Sequence, residues 1–80
     1  MGVRVLLLGR LRDLAGTDQL ILDAPLSWET LLAKVPAALA AAVRDERVHV
    51  ALSGTVVADK ATILAHEGDE VALLPPVSGG

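Results

Sequence analysis

The chain has 80 residues, of which 52% are apolar, and a formal net charge of -3 at pH 7. This length supports one small domain whose core must be dense in aliphatic side chains. Trp28 is the sole aromatic residue, which excludes stacking platforms for nucleic acid, and the acidic balance disfavours binding to a phosphate backbone. The sequence has no cysteine, which excludes disulfides and thiolate metal sites.

The sequence gives no sign of a membrane or metal partner. No apolar stretch approaches the ~20 residues of a membrane span, and residues 5–8 are too short a run for a secretory signal. We therefore predict a cytoplasmic protein. His49, His66 and the acidic residues near His66 match no metal-ligand spacing, so no metal site is predicted.

The start of the chain predicts two strands separated by a short helix. Residues 3–8 are β-branched and leucine-rich, which is typical of a central strand covered on both faces. Residues 10–15 predict a short helix that ends at Gly16 in a left-handed cap. Within residues 18–23, Leu20 and Leu22 alternate with Gln19 and Ile21, and this pattern predicts a second strand.

The middle of the chain predicts a broken helix. Ser27 suits the N-cap position of a helix, and Pro36 interrupts that helix. Residues 36–45 are rich in alanine and have high helix propensity, with Leu39 and Val43 on one face.

The last part of the chain predicts three strands. Ser53-Gly54 is a two-residue turn signal between residues 49–52 and 55–57, which indicates a hairpin. The final strand, residues 70–74, is apolar enough to be the parallel partner of the first. We predict an α+β fold, a small mixed sheet with a helix packed on one face.

The chain ends in Gly79-Gly80, preceded by Pro75-Pro76. Glycines have no β-carbon, so a narrow channel can admit them, and the prolines favour an extended conformation that projects the following residues from the domain. A carboxylate is ionised at pH 7 and is a poor electrophile, so the Gly80 carboxylate would need activation, for example as an acyl-adenylate made with ATP. We predict a domain over residues 1–75 and a reactive tail over residues 76–80.

Strand alternation predicts a docking surface beside this tail. One face of the first and last strands begins with Arg4 and Glu70 and becomes apolar at Leu8 and Leu74. An apolar patch beside the tail is a candidate partner site, although both leucines could equally be ordinary core or scattered surface residues.

Two segments resemble the small subunit of molybdopterin synthase, a family of ubiquitin-like sulfur carriers with the β-grasp fold. Residues 68–80, GDEVALLPPVSGG, are similar to the closing motif of that family. Residues 11–18, LRDLAGTD, resemble its early helix and turn. The resemblance covers nearly the whole chain and implies a β-grasp domain.

The resemblance also implies a function. An adenylyltransferase related to ubiquitin-activating enzymes would use ATP to activate the Gly80 carboxylate, which would become a thiocarboxylate and donate its sulfur to cyclic pyranopterin monophosphate in molybdenum cofactor biosynthesis. The chain would bind no cofactor, would not be catalytic alone, and would insert its tail into the large subunit of a heterotetramer of two large and two small subunits. The residues implied at the partner surface are Leu8, Arg12, Val56, Leu74, Pro75, Pro76, Val77, Ser78 and Gly79.

Three alternatives remain open at this point. A sulfur carrier could instead serve thiamine synthesis or transfer-RNA thiolation, although Pro75-Pro76-Val-Ser favours the pterin pathway. A ubiquitin-like modifier would be joined through Gly80 to lysines of other proteins. An interaction module would leave the tail idle, and deletion of the diglycine would then change nothing.

Overall fold

A computed structural model describes residues 2–76. The elements of this part, in chain order, are β1 (Val3–Leu7), α1 (Arg10–Ala15), β2 (Gln19–Leu22), β3 (Leu26–Ser27), α2 (Trp28–Lys34), α3 (Ala37–Val43), β4 (His49–Leu52), β5 (Thr55–Val56), a 3-10 helix (Lys60–Thr62), β6 (Leu64–Ala65) and β7 (Glu70–Leu74). No helix formed by residues 2–76 has the length and apolar character needed to cross a membrane.

The main sheet has five strands in the order β2-β1-β7-β4-β5. β1 and β7 are parallel, with Val5 opposite Val71, while the other neighbours are antiparallel. The predicted mixed sheet and its parallel central pair are therefore confirmed. Because β1 and β7 run in the same direction, the residues that follow them leave the sheet on the same side, where the C-terminal ends of both strands lie. We call this the tail edge.

β1 lies inside the sheet as predicted, but residues 2–76 cover only one of its faces. Val3, Val5 and Leu7 are buried, whereas Arg4 is exposed and Leu6 is half-buried. The prediction that β1 is covered on both faces is thus wrong. A continuous apolar run predicts apolar residues on both faces of a strand, but it does not show that the same chain covers both.

The helices pack on the covered face and close a single aliphatic core with it. α2 begins at Ser27, whose Oγ accepts a hydrogen bond from the backbone N–H of Thr30 at 3.2 Å. Pro36 separates α2 from α3, and α3 buries Leu39 and Val43 against the core. The predicted N-cap, the break at Pro36 and the buried face of the second helical segment are all confirmed.

Two predicted turns are also present. Gly16 ends α1 with a left-handed backbone at φ 77°, and its N–H bonds to the carbonyl of Arg12. Ser53 and Gly54 both have positive φ, 49° and 88°, which matches the tight hairpin turn expected between β4 and β5. The chain reverses direction at both turns, the first before β2 and the second between β4 and β5.

Three short elements were not predicted from the sequence. β3 and β6 form a separate two-stranded sheet, with Leu26 opposite Ala65. The 3-10 helix before β6 is capped by Asp59, whose carboxylate accepts from the N–H of Ala61. Strands of two residues show no alternation, so pairing between distant parts of the chain has no local signal here.

Candidate docking surface and tail root

The face of the main sheet opposite to the helices carries an apolar strip, which we call the open face. Strand pairing places Leu6 beside Ala72, Ala72 beside Ala51, and Ala51 beside Val56. The first three are half-buried and Val56 is 59% exposed. Four neighbouring strands thus present one continuous apolar row that residues 2–76 leave uncovered.

On β1 and β7 the open face remains apolar up to the tail edge, where the exposed His49 of β4 lies beside it. Leu8 directly follows β1 and is 45% exposed. Leu74 is the last residue of β7, half-buried and opposite His49. The structure therefore brings Leu8, Val56 and Leu74 to one face of the sheet, and two of them lie at the edge from which the tail departs.

The other end of the open face is polar on β1 and β7. Arg4 and Glu70 are paired across β1 and β7, with 3.5 Å between the guanidinium and the carboxylate. Both side chains are substantially exposed, so this pair contributes little to stability. The polar end predicted from strand alternation is thus present on β1 and β7, whereas Ile21 of β2, opposite Arg4, is apolar and 56% exposed.

Pro75 and Pro76 form the root of the tail, and both remain half-buried against the domain. Pro75 lies close to Gly9, which has φ 55° and ψ -133°. A β-carbon added at Gly9 would come within 3.1 Å of Cγ of Pro75. The glycine before α1 thus permits both an unusual turn and the close approach of the tail root.

Replacing Gly9 with Ala should therefore disturb the tail root as well as the turn. We expect a stability loss of about 1–3 kcal/mol, because an L-residue is strained at this backbone angle, together with altered NMR signals at Pro75. Gly16→Ala is the control, since Gly16 has φ 77° but open space around its missing β-carbon. Equal chemical-shift changes at Pro75 in both variants would contradict this assignment.

A shallow groove lies beside the tail root on the helix side of the sheet. We call it the tail-root groove, and its lining residues come from α1, α3, the connection after α3 and the tail root. They are Arg10, Leu11, Ala41, Ala42, Asp45, Arg47, Val48 and Pro76. Leu11 and Val48 are buried beneath the groove, Ala41 and Ala42 are its accessible apolar residues, and the rim carries three charged side chains.

Asp45 and Arg47 on this rim are paired with each other. One carboxylate oxygen of Asp45 accepts from the backbone N–H of Arg47 at 2.8 Å, and the other accepts from the guanidinium at 2.9 Å. These hydrogen bonds lower the pKa of Asp45 to about 2. The carboxylate stays ionised at pH 7 and largely neutralises Arg47.

Lys60 holds the same connection from the other side. Its ammonium donates to the backbone carbonyls of Asp45 and Val48, the latter at 2.9 Å, and lies 5.6 Å from the centre of the Trp28 ring. Burial lowers the pKa of Lys60. The segment that forms one wall of the groove is thus fixed to the core.

Arg12, also named by sequence analysis, does not join the open face. Arg12 belongs to α1 and is exposed, and its guanidinium forms no ion pair within residues 2–76. Val77, Ser78, Gly79 and Gly80 lie outside the described residues. Their roles remain predictions.

Sequence reasoning missed the residues that shape the tail root, namely Gly9, Arg10, Asp45 and Arg47. Gly9, between an apolar strand and a helix, could have been flagged as a turn. The groove itself has no local signal, because its walls are far apart in sequence.

His66 and Asp69, considered as metal ligands from sequence, form a turn. Asp69 accepts from the backbone N–H of His66 at 2.8 Å. Among residues 2–76, the acidic and histidine side chains form no group of three or more suited to a metal ion.

The five-stranded mixed sheet with helices on one face defines a ubiquitin-like β-grasp domain. A model of the ThiS family matches residues 5–80, so the chain belongs to the ThiS family. This places it among the sulfur carriers of the ubiquitin-like class and confirms the predicted relationship at that level.

Solved structures support the same fold. Small archaeal modifier protein 1 from Methanosarcina acetivorans is 30% identical, with a TM-score of 0.73, over 98% of this chain and 95% of that one. Its counterpart from Haloferax volcanii is 27% identical, with a TM-score of 0.67, over 98% of each chain. A chain from the complex of subunits 1 and 2 of molybdopterin-converting factor from Helicobacter pylori is 24% identical, with a TM-score of 0.67, over the full length of both. No curated protein matches the sequence significantly.

Proposed function

We propose that this chain is the sulfur-carrier subunit of a cytoplasmic molybdopterin synthase, with the Gly80 carboxylate as the reactive group. The match to the ThiS family, which runs through Gly80, carries the sulfur-carrier part of the proposal, and the Pro75-Pro76-Val-Ser segment favours the pterin pathway. The geometry supports it, because the apolar open face reaches the same edge of the sheet as the root of the tail. A partner that docks on Leu8 and Leu74 would have the tail next to it.

The chemistry requires two steps at Gly80. An oxygen of the carboxylate attacks the α-phosphate of ATP in the activating adenylyltransferase and releases pyrophosphate. Hydrosulfide, or a donor that delivers its equivalent, then attacks the acyl carbon, displaces AMP and loses its proton, which leaves a thiocarboxylate. Because the chain has no cysteine, the sulfur must be delivered by another molecule.

The acceptor in this proposal is cyclic pyranopterin monophosphate bound to the large subunit of the synthase. The likeness to the Helicobacter pylori chain, which was solved as a complex of subunits 1 and 2 of molybdopterin-converting factor, supports a large-subunit partner. We propose a heterotetramer of two large and two small subunits, with the tail inserted into the large subunit.

A second candidate function is protein modification. The 30% identity to small archaeal modifier protein 1 favours it, since an acyl-adenylate at Gly80 could equally be attacked by a lysine amine. The two functions share activation at Gly80 and differ in the acceptor.

The test is a transfer reaction with two possible acceptors. The purified thiocarboxylate form would be incubated with the host's large subunit and cyclic pyranopterin monophosphate, and the pterin product and the carrier would both be analysed by mass spectrometry. We expect sulfur to move to the pterin and the carrier to return to its carboxylate form. Retention of sulfur on Gly80, with lysine-linked adducts formed instead in host extract containing ATP, would contradict the proposal.

A further inference from the structure

The tail-root groove lies next to any protein that encloses the tail. Pro76 is one of its lining residues, and the four residues that follow can reach at most ~14 Å when fully extended. A pocket that surrounds residues 77–80 must therefore have its rim close to Arg10 and Arg47. The groove is on the helix side of the sheet, whereas the open face is on the other side.

The two arginines of the groove differ in whether their charge is paired. Arg47 donates hydrogen bonds to the carboxylate of Asp45 from its guanidinium and its backbone N–H. Arg10 is exposed and forms no ion pair with any of residues 2–76. The accessible alanines of α3, Ala41 and Ala42, beside one uncompensated guanidinium suit an apolar side chain flanked by a carboxylate.

The charge distribution of the whole chain also favours an acidic partner at the groove. Residues 10–12 and 44–47 contain four of the seven basic side chains and two of the ten acidic ones. These two segments are net positive, while the rest of the chain is net negative. An acidic partner surface would thus be attracted specifically to the end of the molecule that carries the tail.

We propose that the tail-root groove is a second docking surface, in which an acidic segment of the adenylyltransferase that takes up the tail places a carboxylate on Arg10 and an apolar side chain against Ala41 and Ala42. The partner would then hold the domain on both sides of the tail, by the open face and by the groove. This inference rests on the proposed activation of Gly80.

The test is a charge reversal at Arg10 with a matched reversal elsewhere. Arg10→Glu places an acid at the first residue of α1, where negative charge suits the helix dipole, so the fold should persist. Lys34→Glu makes the same change of net charge at the exposed end of α2. The readout is kcat/KM for adenylylation of the chain by the host enzyme that forms the Gly80 adenylate with ATP, at low and high salt.

We expect Arg10→Glu to lower kcat/KM about tenfold at low salt, mainly through KM, and Lys34→Glu to change it less than about twofold. Arg10→Lys should keep most of the activity, and the effect of Arg10→Glu should shrink at ~1 M salt, where charges are screened beyond ~3 Å. Equal effects of the two reversals would overturn the proposal, because net charge alone would explain them.

Evidence that the groove binds either of two other ligands would also overturn the proposal. Saturable binding of inorganic phosphate or AMP to the chain alone, lost in Arg10→Glu, would make the groove an anion site. Self-association of the chain alone, lost in the same variant, would assign the groove to a second copy. If the wild-type chain is not adenylylated at all, the proposed function fails first, and that result is distinct from an unchanged Arg10→Glu variant.

Discussion

Replacing Leu73 with Ala is expected to lower the free energy of unfolding by about 2–5 kcal/mol. Leu73 is completely buried on β7, the strand that joins the two halves of the sheet, and it lies between Leu7 and Val50. A domain of this size has a total stability of only about 4–12 kcal/mol. The variant should therefore unfold at much lower urea concentration, measured by circular dichroism.

The neighbouring residue provides the control. Leu74 is the same residue type on the same strand, but it lies half-buried on the open face. Leu74→Ala should cost about 1 kcal/mol or less. If the two variants lose equal stability, the division of β7 into a core face and an open face is wrong.

Replacing Leu8 with Asp is expected to weaken docking strongly without unfolding the domain. Leu8 is 45% exposed at the tail edge, and a charge there would have to be desolvated when a partner covers the open face. Loss of a central apolar contact together with this penalty corresponds to ~2 kcal/mol or more. Adenylylation kcat/KM and affinity for the large subunit should both fall at least tenfold.

Leu64→Asp is the matched control, because Leu64 is 49% exposed but lies on β6 in the separate two-stranded sheet. Its urea midpoint and its adenylylation should stay near those of the wild type. Equal loss of adenylylation in Leu8→Asp and Leu64→Asp, with both proteins folded, would remove the open face from the docking surface.

Most of the fold was predictable because its signals are local. The cap at Ser27, the interruption at Pro36 and the turn at Ser53-Gly54 each depend on the chemistry of one or two residues. The parallel pairing of β1 and β7 was predictable from their apolar runs, which few other segments share. β3 and β6 were not predictable, since two-residue strands have no period and their pairing is set by tertiary packing.

The prediction for β1 failed for an informative reason. Leu6 and Leu8 made both faces of the strand apolar, and burial within the chain was the simplest explanation. Residues 2–76 leave that face open, so Leu6 and Leu8 are accessible to a partner within the described part of the chain. Sequence gives the polarity of a strand face, while the covering partner is a property of the assembled molecule.

The candidate site was predictable only in part. Alternation placed Leu8 and Leu74 on one face of the central strands, and the resemblance added Val56. Neither could place Arg10 beside Pro76, because this proximity depends on how α1, α3 and the end of β7 meet in three dimensions. Grooves of this kind become visible only when the packing is known.

The intact mass of the chain after incubation with ATP, a sulfur source and the host's soluble extract tests whether Gly80 carries sulfur. A chain lacking Gly80 is the control. We expect one oxygen to be replaced by sulfur in the full-length chain and no change in the shortened one. An unchanged mass in both, or a sulfur gain that persists without Gly80, would contradict the assignment of the terminal carboxylate as the sulfur donor.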